Sequence, residues 1–196
     1  CIRDSSEYAR MLEVKEKMGH VEIPKINQDL PIYAGTSEEV LQKGVGHLEG
    51  TSLPVGGKGT HTVLTAHRGL PTAKLFTDLN KMKKGDVFYI HNIKEVLAYK
   101  VIDVFVVEPS DFDKVLVVEG KDYCTLLTCT PYMINSHRLL VRAERTEYNP
   151  AAVEKDLVSQ VTGKYKIYLI ISLIIIAILL WYYIRQRRRK KNNEIK

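Results

Sequence analysis

Residues 125–142 read TLLTCTPYMINSHRLLVR. Two apolar runs rich in Leu, Val and Thr flank a connection that opens on Pro131, and Pro, Asn and Ser punctuate it as loop residues do. The pattern predicts two strands joined by a loop at 131–136. The first strand ends on Cys129, and Arg138 stands at the head of the second.

The same period of two extends outward from that pair. From His20 onward, HVEIPKI, LPIYA, THTVLTAH, DVFYIH, EVLAYKVIDVFVV, KVLVV, DYCTLLTC and HRLLVRAE are short segments enriched in β-branched and aromatic residues. PVGGKG, KKGD and EPSD separate them as turn signals. Eight such strands over residues 20–145 predict a mainly β fold, a closed or nearly closed barrel with short helices. One short helix is expected where Thr36 and Glu39 form a capping spacing, another near 73–79. Ahead of the barrel, Asp4 and Glu7 have the spacing of a capping box, and Tyr8, Met11, Leu12 and Lys15 form a stripe. A helix over 5–18 follows, with Gly19 as its stop, so 1–19 read as an N-terminal helix and the remnant of a truncated N-terminal region. The chain opens on Cys1 rather than Met, expected to be a fragment boundary rather than a lipidated first residue. The cluster GGKGT at 56–60 lacks the Ser or Thr that a phosphate-cradling P-loop needs directly after Gly-Lys, so it reads as a plain loop.

The formal net charge of +6 suggests a nucleic-acid partner until its location is considered. Residues 185–196, RQRRRKKNNEIK, carry seven basic side chains against one acidic, which is the whole excess. The body of the protein is formally neutral, with no basic face to gather phosphates, so no nucleic-acid partner is expected. The basic run instead follows YKIYLIISLIIIAILLWYYI at 165–184. Twenty residues at about 1.5 Å each make roughly 30 Å of helix, the thickness of a bilayer core. Tyr165 and Tyr168 stand at one end, Trp181, Tyr182 and Tyr183 at the other, as interfacial belts do. A transmembrane helix is therefore expected at 165–184, a polar stem at 146–164 and a basic tail at 185–196. Basic residues concentrated after the helix place that tail in the cytoplasm and the barrel outside the cell membrane.

Three cysteines, Cys1, Cys124 and Cys129, are an odd number for an extracellular domain and argue against a disulfide scaffold. Cys124 and Cys129 lie five apart in an extended run and so face opposite sides. Parity also sorts the neighbours. Thr125, Leu127 and Cys129 share one face of their strand, and His61, Val63, Thr65 and His67 share one face of theirs. Reactive groups at strand ends project into loops while the sheet holds them. A thiol, an imidazole and a guanidinium together suit acyl transfer: Cys129 as nucleophile, His67 as acid and base, Arg138 as oxyanion stabiliser or substrate clamp. His137 is a rival base, directed to the opposite face if its run is a strand. Cys-x-x-Cys is absent and the histidines lack close ligand spacing, so neither a metal nor another cofactor is expected.

TLLTCTPYMINSHRLLVR, together with TAHRGLPTAKLFTDL at 65–79, closely resembles class C sortases, the pilin-polymerising enzymes of Gram-positive bacteria. The likeness includes EYARMLEV, IPKINQDLPIYAGTSEEVL and the C-terminal apolar segment. The resemblance implies an eight-stranded sortase β-barrel, with Cys129, His67 and Arg138 at the family's catalytic positions. It further implies cleavage of an LPxTG-like sorting signal between Thr and Gly, then transfer of the acyl group to a lysine of the next pilin subunit. Three departures stand out. No Asp-Pro motif of the family's N-terminal lid is present, Ala66 stands where Gly often precedes the histidine, and Ala143 replaces a frequent Gly. A housekeeping sortase with a cell-wall precursor amine as acceptor, a thiol peptidase that uses water, and a non-catalytic membrane-tethered binding module are the competing readings.

Overall fold

In the computed structural model, which describes residues 10, 11, 13, 16–150 and 168–183, all but one of the period-two segments become strands. They are β1 (Lys17–Ile23), β2 (Gln28–Ala34), β3 (Val45–His47), β4 (Thr60–Thr65), β5 (Val87–His91), β6 (Val96–Val107), β7 (Asp122–Thr130) and β8 (His137–Thr146). They close into a barrel in the order β1-β2-β3-β4-β7-β8-β6-β5. Neighbours are antiparallel except β2 with β3 and β4 with β7, which run parallel. Closure gives each described strand a partner on both sides, so none of them is left as an edge to invite a second chain.

Alternation sends Cys124 and Leu126 of β7, and Leu139, Val141 and Ala143 of β8, into the interior. There they meet Leu64, Phe88, Leu97 and Tyr99, and Phe76 and Leu79 from the connection after β4. The outer face of β7 is covered as well. His61, 1% exposed on β4, bonds through Nδ1 to the carbonyl of Leu116 at 2.9 Å and through Nε2 to the Thr125 hydroxyl at 2.8 Å. A carbonyl only accepts, so Nδ1 carries the proton and Nε2 accepts from Thr125. Burial pushes the pKa of His61 down, and that of His47, whose Nε2 lies 2.9 Å from the Ser52 carbonyl, falls for the same reason.

Several expectations are corrected here. Met18 and Gly19 belong to β1 rather than to a helix and its stop; among the described residues before it, Arg10, Met11 and Glu13 are helical. Gly19 has φ +150, and a Cβ there would lie 2.2 Å from the His91 carbonyl oxygen. The glycine serves the close approach of β1 to β5. KVLVV at 114–118 is no strand, because both edges of β7 are already taken by β4 and β8. It forms a 3-10 turn, Asp113–Val115, and then the stretch that caps His61. The missing eighth strand is β3, three residues long and too short to show alternation. The short helix α1 is Glu38–Lys43 with Ser37 at its N-cap, and 73–79 is mostly turn, followed by a 3-10 helix at Leu79–Lys81. β4 stops at Thr65, so His67 lies just past the strand.

The chain divides into two compact units at 148/149. In the second, residues 168–183 are helical, and no helix among the described residues is long and apolar enough to cross a membrane. Cys1, most of the stem and the basic tail lie outside the described residues.

The buried histidines make stability depend on pH with a definite sign. Their folded-state values lie below the ordinary 6.5, so the stability gained by keeping them neutral is full above that value. It is lost as pH falls below 6.5, where the unfolded chain binds protons that the folded one refuses. The denaturant midpoint is therefore expected to fall between about pH 7.5 and about pH 5, and His61→Gln should flatten that dependence.

Candidate active site

Three strands position the reactive groups. The parallel register of β4 on β7 runs from Thr60↔Asp122 to Thr65↔Leu127, and the Ala66 amide continues it by donating to the Leu127 carbonyl at 3.3 Å. The buried Thr128 hydroxyl then donates to the Ala66 carbonyl at 2.8 Å. Together these bonds hold the chain at 66–67 alongside the end of β7. On the other side, antiparallel pairing sets Cys129 directly opposite Arg138. The sequence separates these two by nine positions, but the sheet makes them neighbours.

His67, Cys129 and Arg138 line one cavity of about 250 Å³, with Thr36, Leu41, Leu48, Thr65, Ala66 and Leu127. A larger cavity of about 590 Å³ opens at the start of β7, around Gly56, Lys58, Lys94, Glu95, Asp122 and Arg145. Its Arg145 pairs with Glu95 at 3.3 Å, and no thiol or imidazole lines it. Of the two, only the smaller cavity brings a thiol, an imidazole and a guanidinium together.

Cys129 is partly exposed, while Cys124 is sealed inside the barrel, where burial and then the charge of Asp122 push its thiol well up. One thiol can react and the other cannot. The Arg138 Nη1 donates to the carbonyls of Asn135 and His137, both at 3.1 Å. Its remaining donors bond to none of the described residues, which leaves them for a substrate carbonyl or an oxyanion. His137 stands outside the cavity, with Nε2 3.1 Å from Glu108 and the Ser136 hydroxyl 2.8 Å from Nδ1.

The loop after His67 is fastened to the same strand end. Arg68 donates to the Thr130 hydroxyl at 3.0 Å and to the Thr77 carbonyl at 3.2 Å. Gly69, at φ +89, lies under the Tyr132 ring, whose Cε2 would be 3.0 Å from any added Cβ. His67 itself is 3.2 Å through Nε2 from Oε1 of Glu38, on α1. Reading the sequence singled out neither Glu38, Arg68 nor Thr128. Glu38 sits beside Glu39 in a run that looks like ordinary helix capping, and only the folded chain brings it to the imidazole. Among the described residues no group of three or more His, Cys, Asp or Glu side chains is placed to hold a metal ion.

The Sortase domain family model matches residues 21–146, from within β1 to the last residue of β8. Sortase A of Bacillus anthracis is 33% identical over 135 residues, 68% of this chain and 61% of that protein. The chain spans about three fifths of the length of that relative and of Sortase D of Bacillus subtilis, at 61% and 58%. The crystal structure of sortase C1 from Streptococcus suis is 68% identical, with a TM-score of 0.74 over 75% of this chain and 82% of that one. Sortase C2 of pilus island 1 from Group B Streptococcus is 73% identical, with a TM-score of 0.68 over 71% and 80%. The chain belongs to the sortase family, a family of cysteine transpeptidases. These two similar structures are both of streptococcal sortases C.

Thr128→Val keeps the shape and removes the hydroxyl that holds Ala66. The buried carbonyl loses its partner, so a stability loss of about 1–3 kcal/mol is expected by chemical denaturation. A fall in acyl-transfer rate with the fold intact should accompany it, since His67 is the next residue.

Proposed function

We propose that this protein is a membrane-anchored class C sortase that joins pilin subunits. The observation that carries the reading is the single cavity shared by Cys129, His67 and Arg138. The Cys129 thiolate attacks the threonine carbonyl carbon of an LPxTG-like sorting signal. Arg138, whose remaining donors face no acceptor among the described residues, stabilises the oxyanion. The Thr–Gly C–N bond breaks, His67 protonates the departing glycine amine, and a thioester to Cys129 remains. A lysine amine of the next pilin subunit attacks that thioester and gives its proton to His67. The isopeptide bond forms and the thiolate is released.

Likeness to Pilus Island 1 Sortase C2 of Group B Streptococcus, at 73% identity, favours a pilin lysine over a cell-wall precursor amine as the acceptor. The apolar segment 165–184 followed by a basic tail supports a membrane span, with the tail in the cytoplasm and the barrel outside. Pilin substrates assemble on that outer side, so charge and chemistry agree.

The test combines the full chain in detergent with an LPxTG peptide and a lysine-bearing pilin, read by intact mass. An acyl adduct on Cys129 that resolves into a peptide–pilin isopeptide is expected, and none with Cys129→Ala. Equal turnover by that variant would sink the reading, and an adduct resolved by water alone would make the protein a thiol peptidase. Arg138→Lys keeps the charge but loses the planar fork, so kcat should fall by about tenfold or more; unchanged kinetics would remove Arg138 from the mechanism.

A further inference from the structure

The imidazole of His67 has two nitrogens, and the structure distinguishes them. Nε2 lies 3.2 Å from Oε1 of Glu38, and the Gln42 side-chain amide donates to that same oxygen at 3.0 Å. The Gln42 hydrogen bond, and after it the hydrogen bond and charge of His67, hold the Glu38 carboxyl below the usual carboxylate range. An ionised carboxylate can only accept, and each of its oxygens has two lone pairs, so Oε1 receives both donors. The proton on a neutral His67 must then reside on Nε2, which leaves Nδ1 with the free lone pair.

We propose that Glu38 is a positioning residue for His67, holding its proton on Nε2 so that Nδ1 exchanges protons with Cys129 and the substrate amine. The inference rests on the reading of His67 as the acid and base. Helix α1 supplies both members of the device, because Glu38 and Gln42 are four residues apart and so lie on one face. Leu41 of the same helix lines the cavity with His67, which ties the placement of α1 to that of the imidazole. Without the carboxylate the ring can turn over and choose either tautomer, and only one of them leaves the lone pair on Nδ1. Glu38 also compensates the positive charge that His67 acquires when it takes a proton. Its side chain is 66% exposed and that of His67 30%, so the effect is a moderate one.

The experiment uses the full chain in detergent, labelled with 15N-histidine. Ring 15N shifts report the tautomer of His67 without any substrate, and acyl transfer to an amine is measured on the same samples. The wild type is expected to show the Nε2–H tautomer in its neutral state. Glu38→Ala should give a mixture of tautomers and a kcat lower by roughly three- to tenfold, with the peptide KM unchanged. Glu38→Gln, which retains an acceptor oxygen, should restore the tautomer and part of the rate. An Nδ1–H tautomer in the wild type overturns the proposal, as does a Glu38→Ala chain with unchanged ring signals and kcat, or a loss confined to KM. A wild type that forms no adduct on Cys129 instead counts against the transpeptidase reading, since the ring signals are read independently of turnover.

Discussion

The parallel pairing of β4 with β7 is the constraint on which the site depends. Parallel neighbours cannot be joined by a tight hairpin, so the long segment between them must leave the sheet and return. That segment carries Phe76 and Leu79 into the core and β5 and β6 around the barrel before β7 comes back alongside β4. The in-register ladder then extends past the end of β4 through Ala66, and the Thr128 hydroxyl closes the last step. Both the imidazole and the thiol emerge at that point. Their proximity belongs to the hydrogen-bonded sheet, with the loops adjusting only their final orientation.

Three other groups of the same kinds are kept away from the cavity, two by hydrogen-bond partners and one by burial. His61 is held between Leu116 and Thr125, and its burial pushes its pKa down. His137 is held by Glu108 and Ser136, and Cys124 is sealed in the core. What distinguishes Cys129, His67 and Arg138 from these is partial exposure to one small cavity and, for Arg138, donors that no described residue takes up after its own backbone contacts.

Strand parity made much of this legible beforehand. It separated Cys129 from Cys124, placed Arg138 on the strand after the loop and set His137 to the other side, each from the period of two alone. Parity failed where its premise did. β3 has only three residues, and KVLVV has the composition of a strand but no free edge to pair with. Gly19 looked like a helix stop because a glycine that admits a neighbouring backbone carbonyl carries no local sign of it. Glu38, Arg68 and Thr128 were illegible for a related reason, since each acts on a residue 29 or 62 positions away and nothing in its own neighbourhood records the partner.

The connection at 131–136 joins two residues that already face each other across a ladder. Tyr132, Met133 and Ile134 are each more than half exposed. The register of β7 on β8, from Tyr123↔Glu144 to Thr130↔His137, is determined by core residues well below this connection. Its length and side chains can therefore change without parting the Cys129 thiol from the Arg138 guanidinium. A single-residue slip of the ladder, by contrast, would turn Arg138 into the barrel and bring Leu139 or His137 opposite the thiol. The pleat of the sheet carries the spacing between thiol and guanidinium, and the rim, through the Asn135 carbonyl, trims only the direction of Arg138.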